Sequence, residues 1–211
     1  MRQRFLLFPM VHIGTPEYYE QVRIRLGVCD LILFEGVRTF SGRLLTLSYR
    51  LVAKRRRLNL VTQAVLGLKG LAPRLVCADV SSAEFEEKWS RIPLHMRLTL
   101  ALAAPFFGAY QYLTASRESI GKHASAEDVK PHRELEGREA APEFHSAIQD
   151  SRDAKLSAAI ESVLAERDPP ANTGVLYGAA HMSSVTDLLM SKHGFRVAHA
   201  EWLTVFDYAD V

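Results

Sequence analysis

The sequence predicts an α/β domain on a central mixed, largely parallel sheet flanked by helices. Three observations predict it. Short apolar runs of strand length alternate with longer segments of helical periodicity, the pattern of successive strand–helix units. The 211 residues are enough for one domain with a sizeable core. The composition, 48% hydrophobic and 24% charged, is that of an ordinary globular chain. A formal charge of +2 gives no argument for nucleic acid, and no such partner is expected. Residues 1–211 read as a single domain, with an apolar helical insertion and a polar loop, or a lid, at about 94–147.

The elements follow in order. Arg4–Ile13, RFLLFPMVHI, reads as the first strand. Pro9 removes a ladder donor, so the strand lies at an edge or bulges there. Arg2 and Arg4 before an apolar run imitate a signal peptide, but the run breaks at Pro9 and has no small-x-small cleavage site. The expected location is cytoplasmic, with membrane association left open. Thr15 is an N-cap candidate with Pro16 at the first helical position, and Tyr18, Val22 and Leu26 share a face that Gly27 ends.

Cys29–Phe34 is the second strand, closed by Glu35-Gly36. Arg43–Arg57 reads as a helix with the basic tail Lys54-Arg55-Arg56-Arg57, either a solvated helix end or a face for something anionic. Leu60–Leu68 reads as a further short helix. A third strand ends at Asp79, and Ser81 or Ser82 caps a helix carrying Phe85 and Trp89 on one side. Leu98–Ser116 carries no charge but is interrupted by Pro105 and Gly108, which favours a buried helical pair or an apolar cap over a membrane span. Arg117–Phe144 reads as a polar loop or lid. Asp150–Arg167 is a helix with Leu156, Ile160, Val163 and Leu164 on one face. Val175-Leu176-Tyr177 is a buried strand, Gly178-Ala179-Ala180 a turn, and His181 precedes a helix that Ser183 or Ser184 could cap. Phe195–Tyr208 reads as a last strand or a hairpin. Cys29 and Cys77 sit in apolar runs, as buried free thiols do.

In a parallel sheet the carboxyl ends of the strands share one edge, where such folds place ligands. His12, Glu35, Asp79 and His181 stand just after the four strands, so four ionisable side chains share that edge. Two imidazoles with one or two carboxylates form the donor set of a catalytic divalent metal site. They equally serve general acid–base chemistry without metal. Arg152 and Asp153 open the late helix, and Arg152 either makes a surface salt bridge or holds Glu35 or a substrate carboxylate. The other six histidines show no ligand spacing. The sequence has no P-loop, no Gly-rich dinucleotide fingerprint, no HExxH and no G-x-S-x-G elbow.

At GAAH (Gly178–His181), MVHIG (Met10–Gly14), LFEG (Leu33–Gly36) and the pair Arg152-Asp153, the chain resembles the TraB/Tiki-like family. That family lies in the wider group of the erythromycin esterases and the ChaN-like haem-binding lipoproteins. The resemblance runs from about residue 4 to 206, with Pro9 where the family has glycine. It implies an α/β fold and a site of His12, Glu35 and His181. Tiki-like members are metal-dependent proteases favouring manganese or cobalt; erythromycin esterases activate water with a histidine and glutamates; TraB-like members are linked to peptide-pheromone shutdown.

The expectation is therefore a metal-dependent, peptidase-like hydrolase acting on a peptide or a small ester or amide. His12, Glu35, His181 and Arg152 would be catalytic. His12, Glu35, His181 and Asp79 would be ligands to manganese, cobalt or zinc. The alternatives are a metal- or haem-binding or membrane-associated regulatory protein without turnover, with peripheral membrane contact through 94–116, and a folded but inactive family member.

Overall fold

The computed structural model of the chain describes residues 3–36, 39, 42, 46–123 and 149–208. The start of the expected helix at 43–45, the polar stretch 124–144, and His132 and His145 lie outside them.

The fold is a four-stranded parallel sheet flanked by helices. β1 (Arg4–Met10), β3 (Leu31–Phe34), β5 (Arg74–Cys77) and β6 (Asn172–Gly178) stand in the order β1-β6-β3-β5. β6 is central, with Val175 opposite Leu7 on one side and Leu33 on the other. Pro9 lies in β1, an edge strand, which is where a sheet tolerates proline. A short antiparallel pair, β2 (Ile13–Gly14) with β4 (Val61–Thr62), stands beside the sheet.

Strand alternation puts one apolar layer on each face. Leu31, Leu33, Val175 and Tyr177 pack against Leu156, Ile160 and Val163 of α6 (Ser151–Leu164) and Val185 of α7 (Met182–Asp187). Ile32 and Leu176 face the other way, onto Tyr18, Tyr19, Val22 and Leu26 of α1 (Pro16–Leu26). Two helices start where their caps predict. Thr15 Oγ1 accepts from the Tyr18 N–H at 3.2 Å. Ser81 and Glu84 form a reciprocal capping box at the head of α3 (Ser82–Arg91). The Glu84 carboxyl is held down at about 2, first by the Ser81 N–H and then by Lys155.

Several segments differ from expectation: the helix expected over 43–57 spans only Leu47–Val52 among the described residues, which leaves the basic run 54–57 beyond its end, and Cys77, expected to be buried, is exposed. Leu60–Leu68 is not an α-helix: it is β4 followed by a 3-10 turn at Gln63–Leu66. Gly67 then stops that turn in the left-handed region, at φ 54°. The apolar stretch is a single helix, α4 (Leu94–Thr114), and mostly exposed rather than a buried pair. It continues through Pro105 because the carbonyl that proline leaves without a partner, at Ala101, lies in an exposed turn. α4 rests on α2 (Leu47–Val52), and Gly108 permits this, since a Cβ there would meet Leu51 Cδ1 at 2.8 Å. Arg117–His123, assigned to the polar loop, is helix α5. Finally, Phe195–Tyr208 forms no strand. It runs as an irregular strap, with Leu203 and Val205 on the α1-side core and the Val205 carbonyl accepting from the Thr15 N–H at 3.0 Å. Its alternating apolar pattern is misleading because Val197 and Trp202 are exposed, Trp202 by 92%.

Candidate functional site

The parallel sheet delivers the predicted residues to one edge, but unequally. Glu35 follows β3 directly and His181 follows β6 through a 3-10 turn, so the two central strands supply them. Asp79 comes from β5. Arg152 and Asp153 are consecutive at the start of α6, and the helical rotation between neighbours sends them to different partners.

Arg152 makes a planar fork on Asp79. Its Nε donates to Oδ1 at 2.9 Å and its Nη2 to Oδ2 at 2.8 Å, while Nη2 also lies 2.5 Å from Glu35 Oε1. The Gly36 and Val80 N–H groups donate to Asp79 as well, at 3.1 and 2.8 Å. The Gly178 N–H donates to Glu35 Oε2 at 3.0 Å. The Asp79 side chain is wholly buried (0% exposed) and Arg152 nearly so. Burial alone would push the Asp79 carboxyl up; the Arg152 hydrogen bonds and charge, helped by the two N–H donors, outweigh it and hold the group below its ordinary range. Burial likewise opposes the Arg152 charge, and Asp79 and Glu35 overcome it and raise the guanidinium. Tyr177 lies beneath, its ring centroid 5.5 Å from the guanidinium carbon, and its phenol is raised by burial and by Asp79.

A group whose folded value is depressed stabilises the fold above its unfolded value and loses that contribution as pH falls. Asp79 starts from 3.8. The stability gap between the wild type and Asp79→Asn should therefore be full near neutrality and narrow as pH falls below about 4, read from thermal melts across that range.

His181 forms the second half of the site. Its Nδ1 lies 2.5 Å from Asp153 Oδ1, and Ser184 Oγ donates to Asp153 Oδ2 at 2.7 Å. Both Asp153 oxygens are thus engaged, which fixes the imidazole plane; Tyr177 packs edge-on against it, centroids 4.9 Å apart. With Nδ1 facing the Asp153 carboxylate, Nε2 is the ring nitrogen directed away from that pair. The helix after the histidine starts at Met182 without a side-chain cap, so Ser184 serves Asp153 rather than the helix end. Gly178 separates the two halves. A Cβ there would lie 3.4 Å from Glu35 Oε2 and 3.5 Å from His181 Cδ2, so both flank one bare stretch of backbone.

His12 stands apart. It follows edge strand β1, is exposed, and sets its ring 5.2 Å from Tyr49 of α2. It shares no hydrogen bond with Glu35, Asp79 or His181 among the described residues.

The expected manganese, cobalt or zinc ligands do not fit an ion as arranged. Asp79 is taken by Arg152 and two N–H groups, Glu35 by Arg152 and Gly178, and His181 Nδ1 by Asp153. Among the described residues no group of three or more His, Cys, Asp or Glu is placed to hold a metal. The guanidinium stands between the two carboxylates, where a divalent cation would otherwise compensate them. Asp153 is the residue whose role the sequence did not give away: its partner lies 28 positions on. The available signal was its place beside Arg152 at a helix start, which forces two neighbours to point to separate tasks.

The fold and site thus define an α/β domain with a buried Asp–Arg–Glu cluster and an Asp–His pair at the carboxyl edge of its sheet. No family model, curated protein or solved structure matches the chain.

Proposed function

We propose that the protein is a hydrolase that cleaves an ester or amide bond by general acid–base chemistry at His181. The observation that carries this reading is the Asp153–His181 pair, held by Ser184 at the carboxyl edge of the sheet and beside Glu35. His181 Nε2 takes a proton from water, and the water oxygen bonds to the carbonyl carbon. The imidazolium then returns the proton to the departing oxygen or nitrogen as that bond breaks, giving an acid and an alcohol or amine. Asp153 orients the ring and stabilises its charged form. Arg152 positions Glu35, whose carboxylate faces the same backbone gap. The substrate class, a peptide or a small ester or amide, and membership of the TraB/Tiki-like group rest on the motif resemblance.

The test is hydrolysis of chromogenic esters and fluorogenic peptides by the wild type and Asp153→Asn. The amide cannot accept the Nδ1 proton as a carboxylate does, so turnover should fall about 10²- to 10⁴-fold. The circular-dichroism spectrum should be unchanged. Activity that survives metal chelation supports the acid–base route. Equal turnover in the two proteins, or none in the folded wild type, overturns it.

A further inference from the structure

We infer that α4 and the basic run 54–57 form a docking surface for an anionic phospholipid bilayer, with the helix lying along the surface. α4 presents Leu94, Leu98, Leu102, Phe106, Tyr110 and Leu113 to solvent, Phe106 by 77% and Leu113 by 72%. The opposite stripe, through Ala104 and Gly108, is the one that rests on α2. Single exposed apolar side chains are ordinary; a continuous apolar helix face about 30 Å long is not. No acidic residue occurs from Leu94 to Ser116.

Charge identifies the occupant. Lys54, Arg55, Arg56 and Arg57 join Tyr112 and Leu113 in lining an open cleft of about 490 Å³ at the carboxyl end of α4. Two buried or half-buried arginines fix this juxtaposition. Arg55 Nη1 donates to the Ala115 carbonyl at 2.5 Å, and Arg117 Nε donates to the Leu58 carbonyl at 2.9 Å. Lys54, Arg56 and Arg57 are exposed and have no ion-pair partner among the described residues. The nearby acid Glu118 is instead paired with Lys122 at 2.7 Å. Apolar side chains that enter the acyl boundary, flanked by exposed cations at headgroup level, match a leaflet carrying anionic lipid. Among the described residues no single helix is long and apolar enough to cross a membrane. α3 and α4 pass the length and hydropathy criteria only when taken together, and they are bent by 112° at the break between them.

Flotation of the full chain with phosphatidylcholine vesicles, with and without phosphatidylserine, tests the surface. The wild type should float with the anionic vesicles and lose binding as salt rises. The triple variant K54E/R56E/R57E removes three cations, each contributing roughly fivefold near an anionic surface, so affinity should fall about 100-fold or more. Phe106→Glu should abolish binding while leaving the thermal midpoint unchanged, because the side chain is exposed. Three results would overturn the inference. One is failure to float with either vesicle. The second is equal binding to both vesicles that the triple variant leaves intact. The third is a dimer in solution that Phe106→Glu converts to monomer without any vesicle binding, which would assign the face to a second copy.

Discussion

His181→Ala should lower kcat for ester or amide hydrolysis by about 10³-fold or more, because it removes the group proposed to accept and return the proton. The residue is buried, so the truncation also frees Asp153 from its main partner. His181→Gln separates the two effects. Its amide can donate to Asp153 but cannot shuttle a proton at neutral pH. Stability should therefore return towards wild type while activity stays lost. Steady-state rates and urea denaturation on the two variants give the answer, and a Gln variant with near wild-type turnover would remove His181 from the chemistry.

Arg152→Met should have the largest effect on stability. It strands the buried Asp79 carboxylate and deprives Glu35 of its ion pair, leaving two charges of one sign close together. Breaking a buried pair in this way costs about 3–5 kcal/mol. For a chain of this size the midpoint should drop on the order of 10 °C. Arg152→Lys keeps the charge but cannot fork onto both Asp79 oxygens, and should recover only part of the loss. Adding Asp79→Asn to Arg152→Met should restore stability, since it removes the stranded charge. A full loss that persists in the double variant would place the cost in packing against Tyr177 instead.

The alternating layers of this fold were legible because each face has a period. Leu31, Ile32 and Leu33 alternate between the two cores, and Tyr18, Val22 and Leu26 repeat at helical spacing, so pattern alone finds them. The strand-end residues Glu35, Asp79 and His181 were legible for a related reason: a parallel sheet forces the residues just beyond each strand onto one edge. What the sequence could not reveal was the pairing among them. Whether Arg152 meets Glu35, Asp79 or solvent depends on where α6 docks, and that is decided by Leu156 and Ile160 far from the charges. His12 obeys the same strand-end rule yet stands apart, since it follows an edge strand and meets Tyr49. The strap misled for the opposite reason: its apolar residues alternate, but part of them cover the sheet and part face water.

That strap has a bearing on how the protein behaves at high concentration. An open parallel sheet has two unpaired sides, each a template on which another chain could extend the ladder. Here β1 carries Pro9, which withholds a donor, and the chain's own residues 203–205 lie against the core beside it. The other side, β5, is four residues long and begins with Arg74, held by Glu166. Neither flank offers the long, flat, uncharged ribbon that recruits a second molecule. Pro9 and the strap on one flank, and the shortness of β5 on the other, both act against extension of the sheet by a second molecule.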